Sequence, residues 1–251
     1  MPALLSASRH PLRRLLPGLC VLLAMTGLAR ADEATIRKNL ADRMPQLPKI
    51  DEVSKAPMPG LWELRIGTDI LYTDETGTYV IEGNIFDTRT RTDLTKARID
   101  KLTAIDFASL PLKDAVVVKQ GSGNRKLVIF ADPNCGYCKR IEKDLLKVKD
   151  VTIYTFLLPI LGPDSVAKSK DIWCAKDSGK VWRAWMVDGN APPASASEKC
   201  DTAALDRNVE MSRKFKVNAT PALVFEDGTR VPGAIPADRI EKQLASATKK
   251  S

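Results

Sequence analysis

In the first third of the chain, the alternation of apolar and polar residues predicts one helix followed by a small antiparallel sheet. Ile36 and Leu40, spaced one helical turn apart among charged residues, indicate a short helix from Asp32 to about Met44. Three strand-like runs follow, and Asp74-Glu75-Thr76-Gly77 between the second and third is typical of a hairpin turn. These runs are Leu61 to Ile66, Ile70 to Thr73 and Thr78 to Phe86. Because a unit of about 60 residues has a thin core, we expect residues 32–91 to form an α+β domain that dimerises.

Residues 92–111 carry apolar positions at helical spacing. The positions on one side are Ile99, Leu102, Ile105 and Ala108. Thr92 or Asp93 lies near the expected start of this helix, and Pro111 ends the pattern. A helix of about 16 residues would be about 24 Å long and could link two domains as a strut. An ordinary packed helix fits the same pattern.

From residue 112 to the end of the chain, predicted strands and helices alternate. The strands are Ala115 to Lys119, Leu127 to Ala131 and Val151 to Leu158, and a hairpin joins Ala222 to Phe225 with Thr229 to Pro232. The helices are Cys135 to Lys147, Asp164 to Ala175, Gly179 to Val187, Ala203 to Phe215 and Pro236 to Ala245. This order predicts an α/β domain over residues 112–251, with a helical insertion before the final hairpin.

Composition excludes several classes of protein. Apolar residues make up 44% of the chain and charged residues 28%, which is too balanced for a disordered or fibrous protein. A mean hydropathy of −0.18 excludes a polytopic membrane protein. Five cysteines in 251 residues are too few for a scaffold that disulfides hold together in place of a core.

Residues 1–31 have the pattern of a cleaved secretory signal peptide. Three arginines precede the apolar run Leu15 to Leu28, and Ala29-Arg30-Ala31 resembles a cleavage site. A membrane anchor is the alternative, but this run is shorter than the roughly 20 residues that span a bilayer. Cleavage would remove four arginines and no acidic residue, and so lower the net charge from +8 by four.

Cleavage would also remove Cys20 and His10, the only histidine. Four cysteines would then enter an oxidising compartment without any imidazole. This excludes Ser-His and Cys-His hydrolases and histidine-containing zinc sites. The sequence has no clustered stripe of basic and aromatic residues, so we expect no nucleic-acid partner.

The C-x-x-C motif Asn134-Cys135-Gly136-Tyr137-Cys138 lies where a buried strand meets an amphipathic helix, and this context favours a redox pair. Cys138 shares an apolar stripe with Ile141 and Leu145, so it should face the core. Cys135 should lie at the helix N-terminus, where unpaired N–H groups and the helix dipole favour a thiolate. We therefore predict an exposed nucleophile and a shielded resolving thiol. A zinc half-site is the weaker alternative, and we predict no metal and no cofactor.

Cys174 and Cys200 bracket two helical stretches and a loop rich in Ala, Pro and Ser. Pairing of the C-x-x-C cysteines with each other leaves these two as partners. Such a disulfide would contribute about 3 kcal/mol in the chain-entropy model. A second redox site is the less favoured interpretation. Further along the chain, Thr220-Pro221 precedes a strand. A proline is tolerated at this place because the start of a strand needs no N–H for the sheet, so the proline by itself indicates no function.

Four segments resemble a known family. They are Phe130 to Lys139, Ile172 to Asp177, Ala219 to Ala222 and, in the N-terminal domain, Tyr79 to Asp87. Through them the sequence resembles the DsbC family of periplasmic disulfide isomerases, within the thioredoxin superfamily, over nearly all of the chain after residue 31. The resemblance implies a V-shaped homodimer whose N-terminal domains pair and whose linker helices carry two thioredoxin-like domains that face an apolar cleft.

The resemblance also implies a role for each site residue. Cys135 would be the attacking thiol and Cys138 the resolving thiol, with Gly136 and Tyr137 completing the motif. Thr220 and Pro221 would form a cis-peptide loop that binds substrate, and Cys174–Cys200 would be the structural disulfide. Two residues depart from the superfamily pattern: Ile129 stands where thioredoxins carry a buried acid, and Ala219 replaces a common glycine.

The predicted function is thiol:disulfide interchange in the periplasm, mainly isomerisation of wrong disulfides in misfolded secreted proteins. The family implies a membrane reductase of the DsbD type as electron donor. A pathway-specific disulfide reductase or a dithiol oxidase is an alternative enzyme. A chaperone-like binder of unfolded chains, with the cysteines secondary, is an alternative from another class.

Overall fold

The computed structural model describes residues 24–194 and 200–248, and side chains from residue 32 onward. Most of the predicted signal peptide, including His10 and Cys20, therefore lies outside the described residues. The chain divides into two compact units, Met1–Thr95 and Lys96–Ser251. In the part of the chain that is described, no helix has the length and apolar character needed to cross a membrane.

The first unit is a helix with two small antiparallel sheets. Helix α1 spans Ala24–Arg43, and a four-stranded sheet has the order β1-β2-β3-β4. Its strands are β1 Glu52–Lys55, β2 Leu61–Ile66, β3 Asp69–Asp74 and β4 Val80–Ile81. A two-stranded ribbon follows, formed by β5 Phe86–Asp87 and β6 Thr92–Asp93. The core consists of Ile36, Leu40, Val53, Trp62 and Leu64. The α+β prediction for this unit is confirmed.

The predicted elements of this unit are right for the central hairpin and wrong at its margins. Asp74 and Gly77 close the predicted turn through a 3.1 Å backbone hydrogen bond, and Gly77 has a φ of +65° that suits glycine. The single strand predicted from Thr78 to Phe86 is two short strands, β4 and β5, that pair in different sheets. Strand β1 was missed because only Val53 within it is apolar, and α1 begins eight residues before Asp32.

The helix predicted within residues 92–111 is shorter than expected. Helix α2 spans only Leu94–Leu102, and two 3₁₀ turns follow at Phe107–Ser109 and Leu112–Asp114. The chain leaves the helix because the amide of Ile105 bonds to the carbonyl of Gly228 at 3.0 Å and its side chain is buried in the second unit. A strut of about 16 residues is therefore wrong.

The second unit is built on a five-stranded sheet with the order β11-β10-β8-β9-β7. Its strands are β7 Val116–Gln120, β8 Arg125–Ala131, β9 Val151–Leu157, β10 Ala222–Phe225 and β11 Arg230–Pro232. Only the β8–β9 pair is parallel, and α3, Gly136–Leu145, is its crossover helix. The other helices are α4 Pro163–Trp173, α5 Ser178–Arg183, α6 Ala203–Lys214 and α7 Ala237–Thr248.

The two faces of this sheet carry separate apolar clusters. Successive residues of β8 point to opposite faces, so Ile129 joins the cluster that contains α3 and α7, while Phe130 joins the other. Residues 127–131 are all buried, as expected for a central strand. The end of β8 therefore lies in a fully packed position, from which the chain turns directly into α3.

Candidate active site

The C-x-x-C motif lies where β8 ends and α3 begins. Cys135 is the N-cap of α3, and its sulfur accepts a 3.3 Å hydrogen bond from the amide of Cys138. The other cysteine lies one turn inside the helix on its apolar side. The sequence prediction for both positions is confirmed, because Cys135 caps the helix N-terminus with an amide of the first turn bonded to its sulfur, and Cys138 is buried.

One detail of that prediction is wrong: the nucleophile is not freely exposed. Both thiols are unpaired and buried, with Cys135 6% exposed and Cys138 fully covered. Cys135 is covered because its thiol donates a 3.3 Å hydrogen bond to the carbonyl of Thr220. Cys135 is more accessible than Cys138, as predicted, but the exposed fraction of Cys135 is much smaller than predicted.

The peptide bond between Thr220 and Pro221 is cis, as the family resemblance implies. This pair immediately precedes β10, the strand that borders β8 in the sheet. Thr220 contacts the first cysteine directly, because its carbonyl accepts a hydrogen bond from the thiol of Cys135. The structure thus brings together the two motifs that the sequence separates by more than 80 residues.

The two thiols differ in acidity because of where they lie. Burial raises the pKa of Cys138 far above its ordinary value, and the neighbouring thiol of Cys135 raises it further. Hydrogen bonds from the backbone of Asp132 and the side chain of Thr220 oppose this shift without cancelling it. Cys138 is therefore a protonated thiol at neutral pH. Of the remaining motif residues, Tyr137 is 66% exposed and Gly136 has open space around it.

Asp132 is the first site residue that the sequence analysis missed. Its fully buried side chain accepts hydrogen bonds from the backbone of the motif, from the loop after β9 and from α4. Asn134 adds a second link, because its amide donates to Asp164 at 2.7 Å and to Ser165 at 3.0 Å. The available signal was an aspartate that directly follows the apolar run Leu127 to Ala131.

Trp185 is the second missed residue. It lies in a π-helical turn, Ala184–Asp188, and its indole N–H donates a 2.6 Å hydrogen bond to the carbonyl of Pro133. The ammonium groups of Lys139 and Lys168 lie 3.7 and 5.1 Å from the centre of one of its rings. A rigid aromatic ring with two cations therefore supports the turn before Cys135.

A buried carboxyl group is present in α3, although Ile129 removes the one that thioredoxins carry in the strand. Glu142 lies four residues after Cys138 and accepts a 2.8 Å hydrogen bond from the indole of Trp182. Burial raises the pKa of Glu142 to about 7, against opposing effects of Trp182 and Arg183. At neutral pH this group is thus poised between its charged and neutral forms.

Cys174 and Cys200 form a disulfide, as predicted, and it joins the end of α4 to the segment before α6. It lies outside the motif that contains the thiol pair. Among residues 24–194 and 200–248, no three His, Cys, Asp or Glu side chains are arranged to hold a metal ion.

These features define a class: a thioredoxin-like domain whose C-x-x-C pair lies at the start of a helix beside a cis-proline loop. Comparison with protein families agrees, since a thioredoxin-like domain matches residues 112–248, more than half of the chain. The N-terminal domain of disulfide bond isomerase proteins matches residues 27–96.

Individual relatives carry the comparison further. A probable thiol:disulfide interchange protein DsbC from Bordetella pertussis is 48% identical over 185 residues, which cover 74% of this chain and 65% of the relative. DsbC from Escherichia coli K12 is 28% identical over 89% of this chain and 92% of its own length. The crystal structure of a disulfide interchange protein from Neisseria gonorrhoeae, 34% identical, superposes with a TM-score of 0.51 and covers 55% of this chain and 98% of that one. The chain belongs to the DsbC family of thiol:disulfide interchange proteins.

Proposed function

We propose that the protein isomerises wrong disulfides in other proteins, with Cys135 as the attacking thiol and Cys138 as the resolving thiol. The observation that carries this proposal is the asymmetry of the pair. Cys135 lies at the helix N-terminus with an N–H bonded to its sulfur, while Cys138 is fully buried and its pKa is raised. The environment of Cys135 favours the reactive thiolate, while that of Cys138 favours the unreactive protonated thiol.

The proposed reaction starts when the Cys135 thiolate attacks one sulfur of a substrate disulfide. A bond forms between Cys135 and that sulfur, and the second substrate sulfur leaves as a thiolate. Another substrate thiolate then attacks the substrate sulfur of the mixed disulfide and releases Cys135. The substrate has exchanged one disulfide for another with no net oxidation or reduction.

A second exit from the mixed disulfide uses Cys138. Its thiolate attacks Cys135, so that the substrate leaves reduced and the enzyme pair is oxidised. Two electrons must then be supplied to restore the dithiol, and we assign this role to a membrane reductase of the DsbD type. The proton that Cys138 loses has an acceptor available in the departing substrate thiolate.

We also propose that the first unit dimerises the protein. Strand β4 is an edge of its sheet, and the exposed fractions of Tyr79, Ile81 and Phe86 in this region are 71%, 46% and 56%. An exposed apolar edge strand is suited to pairing with a second copy. The proposed organisation keeps the ranges 1–31 for a signal peptide, 32–91 for dimerisation, 92–111 for the link and 112–251 for catalysis.

We place the protein in the periplasm, reached through the predicted signal peptide. The Cys174–Cys200 disulfide supports an oxidising compartment, since structural disulfides are rare in reducing ones. Isomerisation in such a compartment requires that Cys135 and Cys138 be kept reduced, which is why an electron donor is part of the proposal.

The test compares the full chain with Cys135→Ala and Cys138→Ala. In a thiol buffer, the wild type should restore activity to a scrambled multi-disulfide protein, and Cys135→Ala should not. Cys138→Ala should accumulate a mixed disulfide with the substrate, visible on non-reducing gels. If Cys135→Ala rescues the substrate as well as the wild type does, the protein acts as a noncovalent chaperone instead.

A further inference from the structure

The carboxylate of Asp132 connects the segment that carries the thiol pair with the loop between β9 and α4, residues 158–162. Its Oδ1 accepts hydrogen bonds from the amide of Asn134 and the hydroxyl of Ser165, both at 2.7 Å. Its Oδ2 accepts from the amides of Ile160 and Leu161 at 2.8 and 3.0 Å. The side chain is fully buried, so these four bonds replace the water that the carboxylate loses on folding.

The backbone of Asp132 contacts the first cysteine of the motif. Its carbonyl accepts a 3.1 Å hydrogen bond from the amide of Cys135. Asp132 therefore hydrogen-bonds with Cys135 through its backbone and with the amides of Ile160 and Leu161 through its side chain. Asp132 is thus a direct link between that loop and the motif, beside the bonds of Asn134 to Asp164 and Ser165.

The loop displays two large aliphatic side chains. Ile160 is 44% exposed and Leu161 is 56% exposed, even though the backbone amides of both are tied to a buried carboxylate. Exposed aliphatic residues in a surface loop are usually mobile and lose entropy when they bind. Here the backbone is already held, so that cost is reduced before any contact is made.

We propose that Ile160 and Leu161 form a subsite for an apolar side chain of the polypeptide bonded to Cys135, with Asp132 as the positioning residue that holds the subsite. The inference rests on the proposed function, because it needs a substrate joined to that cysteine. The occupant is an extended segment of an unfolded or misfolded chain. Asp132 bonds to the amide of Cys135 and to the amides of Ile160 and Leu161, so the loop lies one residue's span from the motif. It is therefore within reach of a segment that continues from its half-cystine at about 3.3 Å per residue.

Asp132 suits this role better than a neutral residue would. The two oxygens of Asp132 accept from four neighbours, and all four of these neighbours are donors. In Asp132→Asn, one of the two oxygens becomes an NH₂ group that faces donors and cannot accept from them. The loop must then shift relative to the cysteines, whichever way the amide is turned.

The test uses mixed disulfides between glutathione and single-cysteine peptides. Leucine or serine is placed in turn at each of the three positions on either side of the cysteine, and the rate of reaction with Cys135 of the full chain is measured. At one position at least, the leucine peptide should react about fivefold faster, as expected for partial burial of one aliphatic side chain. The readout is the ratio of the leucine-peptide rate to the serine-peptide rate. Differences between variants in the reactivity of Cys135 affect both rates and cancel in this ratio.

Leu161→Ser should bring the ratio close to one. The matched control is Leu146→Ser, which removes a leucine of similar exposure, 48%, at the far end of α3, about 15 Å along the helix. This control should keep the ratio of the wild type. A ratio that survives Leu161→Ser, or is lost equally in Leu146→Ser, overturns the subsite.

Asp132→Asn should also lower the ratio, and combining it with Leu161→Ser should lower it no further, because both act on the same contact. If Asp132→Asn does not fold, Ser165→Ala removes one of the four bonds and should give an intermediate ratio. An unchanged ratio in the Asp132→Asn or Ser165→Ala variant excludes the positioning role. A wild-type ratio of one at every position overturns the subsite alone, whereas no reaction with any peptide contradicts the proposed function itself.

Discussion

The amide of Cys138 donates a hydrogen bond to the sulfur of Cys135 across a single helical turn, at 3.3 Å. A negative charge on Cys135 strengthens this bond, while a charge on Cys138 would lie in a fully buried position. The two thiols of one motif are therefore chemically different before any substrate binds.

The first prediction concerns this difference. In the reduced protein near pH 7, a small alkylating agent should modify Cys135 first, and at least about tenfold faster than Cys138, since burial raises the pKa of the latter. Peptide mapping after timed quenching measures both rates. Cys138→Ala should keep the fast phase, and Cys135→Ala should abolish it. Equal rates at the two thiols would contradict the assigned roles.

The second prediction separates the Cys174–Cys200 disulfide from the chemistry. Replacing both cysteines by alanine should lower the free energy of unfolding by about 2–5 kcal/mol, because the unfolded chain loses a closed loop of about 25 residues. Urea unfolding measures the loss, and alkylation of Cys135 should proceed at the rate of the wild type. A folded double variant without thiol reactivity would indicate that this disulfide is a second redox centre.

The third prediction follows from Glu142. Its folded-state pKa of about 7 lies above its ordinary value of 4.5, so the folded protein holds this proton more tightly than the unfolded chain. Between these values the contribution of Glu142 to the free energy of unfolding falls as pH rises, by an upper estimate of about 3 kcal/mol. Glu142→Gln keeps an acceptor for Trp182 and removes the ionisation.

The stability of Glu142→Gln should therefore gain on the wild type as pH rises from 5 to 8. Urea unfolding of both proteins at one-unit pH steps measures the difference. Two stability curves that run parallel over this range would show that the carboxyl group ionises at the same pH in the folded and unfolded chains.

The sequence predicts an element well where its apolar residues follow a single clear pattern, either a continuous run or a helical stripe. The all-apolar run of β8 and the stripe of Cys138, Ile141 and Leu145 on α3 place both elements to within two residues. The helix over residues 92–111 was wrong because Ile105 fits a helical stripe but is buried through a contact with the β10–β11 turn. The periodicity of apolar residues indicates that a residue is buried, but it does not indicate which element the residue packs against.

The site divides in the same way. The C-x-x-C spacing of Cys135 and Cys138 at the start of a helix is itself typical of a redox pair, so the pair could be predicted from the sequence. Asp132 binds Ser165 across 33 residues, and Trp185 binds Pro133 across 52. No local pattern marks such contacts, since each depends on how α4 and the π-helical turn pack beside the motif.

The fourth prediction tests the packing of α5 on the sheet. A Cβ on Gly179 would lie 2.4 Å from the carbonyl oxygen of Val117 in β7, and a strand backbone cannot move away. Gly179→Ala should lower the free energy of unfolding by about 1–3 kcal/mol. Gly136→Ala is the matched control, because Gly136 also lies in the first turn of a helix and its Cβ would meet nothing within 4 Å. Equal stability of the two variants would contradict the close approach of α5.

The final prediction tests whether dimerisation makes the protein an isomerase. Ile81, 46% exposed on edge strand β4, should lie in the interface between two copies, and Ile81→Asp places a charge where the strands would pair. This variant should be monomeric by light scattering and still reduce a small disulfide, because Cys135, Cys138 and Thr220 are unchanged. Its rescue of a scrambled protein should fall about tenfold or more, since linked sites rebind a substrate between exchanges through their high effective concentration.

The matched control for this prediction is Val117→Asp, which introduces the same charge at a residue of similar exposure, 45%, on β7, an edge strand of the five-stranded sheet. It should remain dimeric and keep its rescue activity, so that a loss confined to Ile81→Asp reports on dimerisation rather than on added charge. If monomeric Ile81→Asp unscrambles the substrate as fast as the wild type, a single Cys135 is sufficient for isomerisation. The first unit must then contribute something other than a second site.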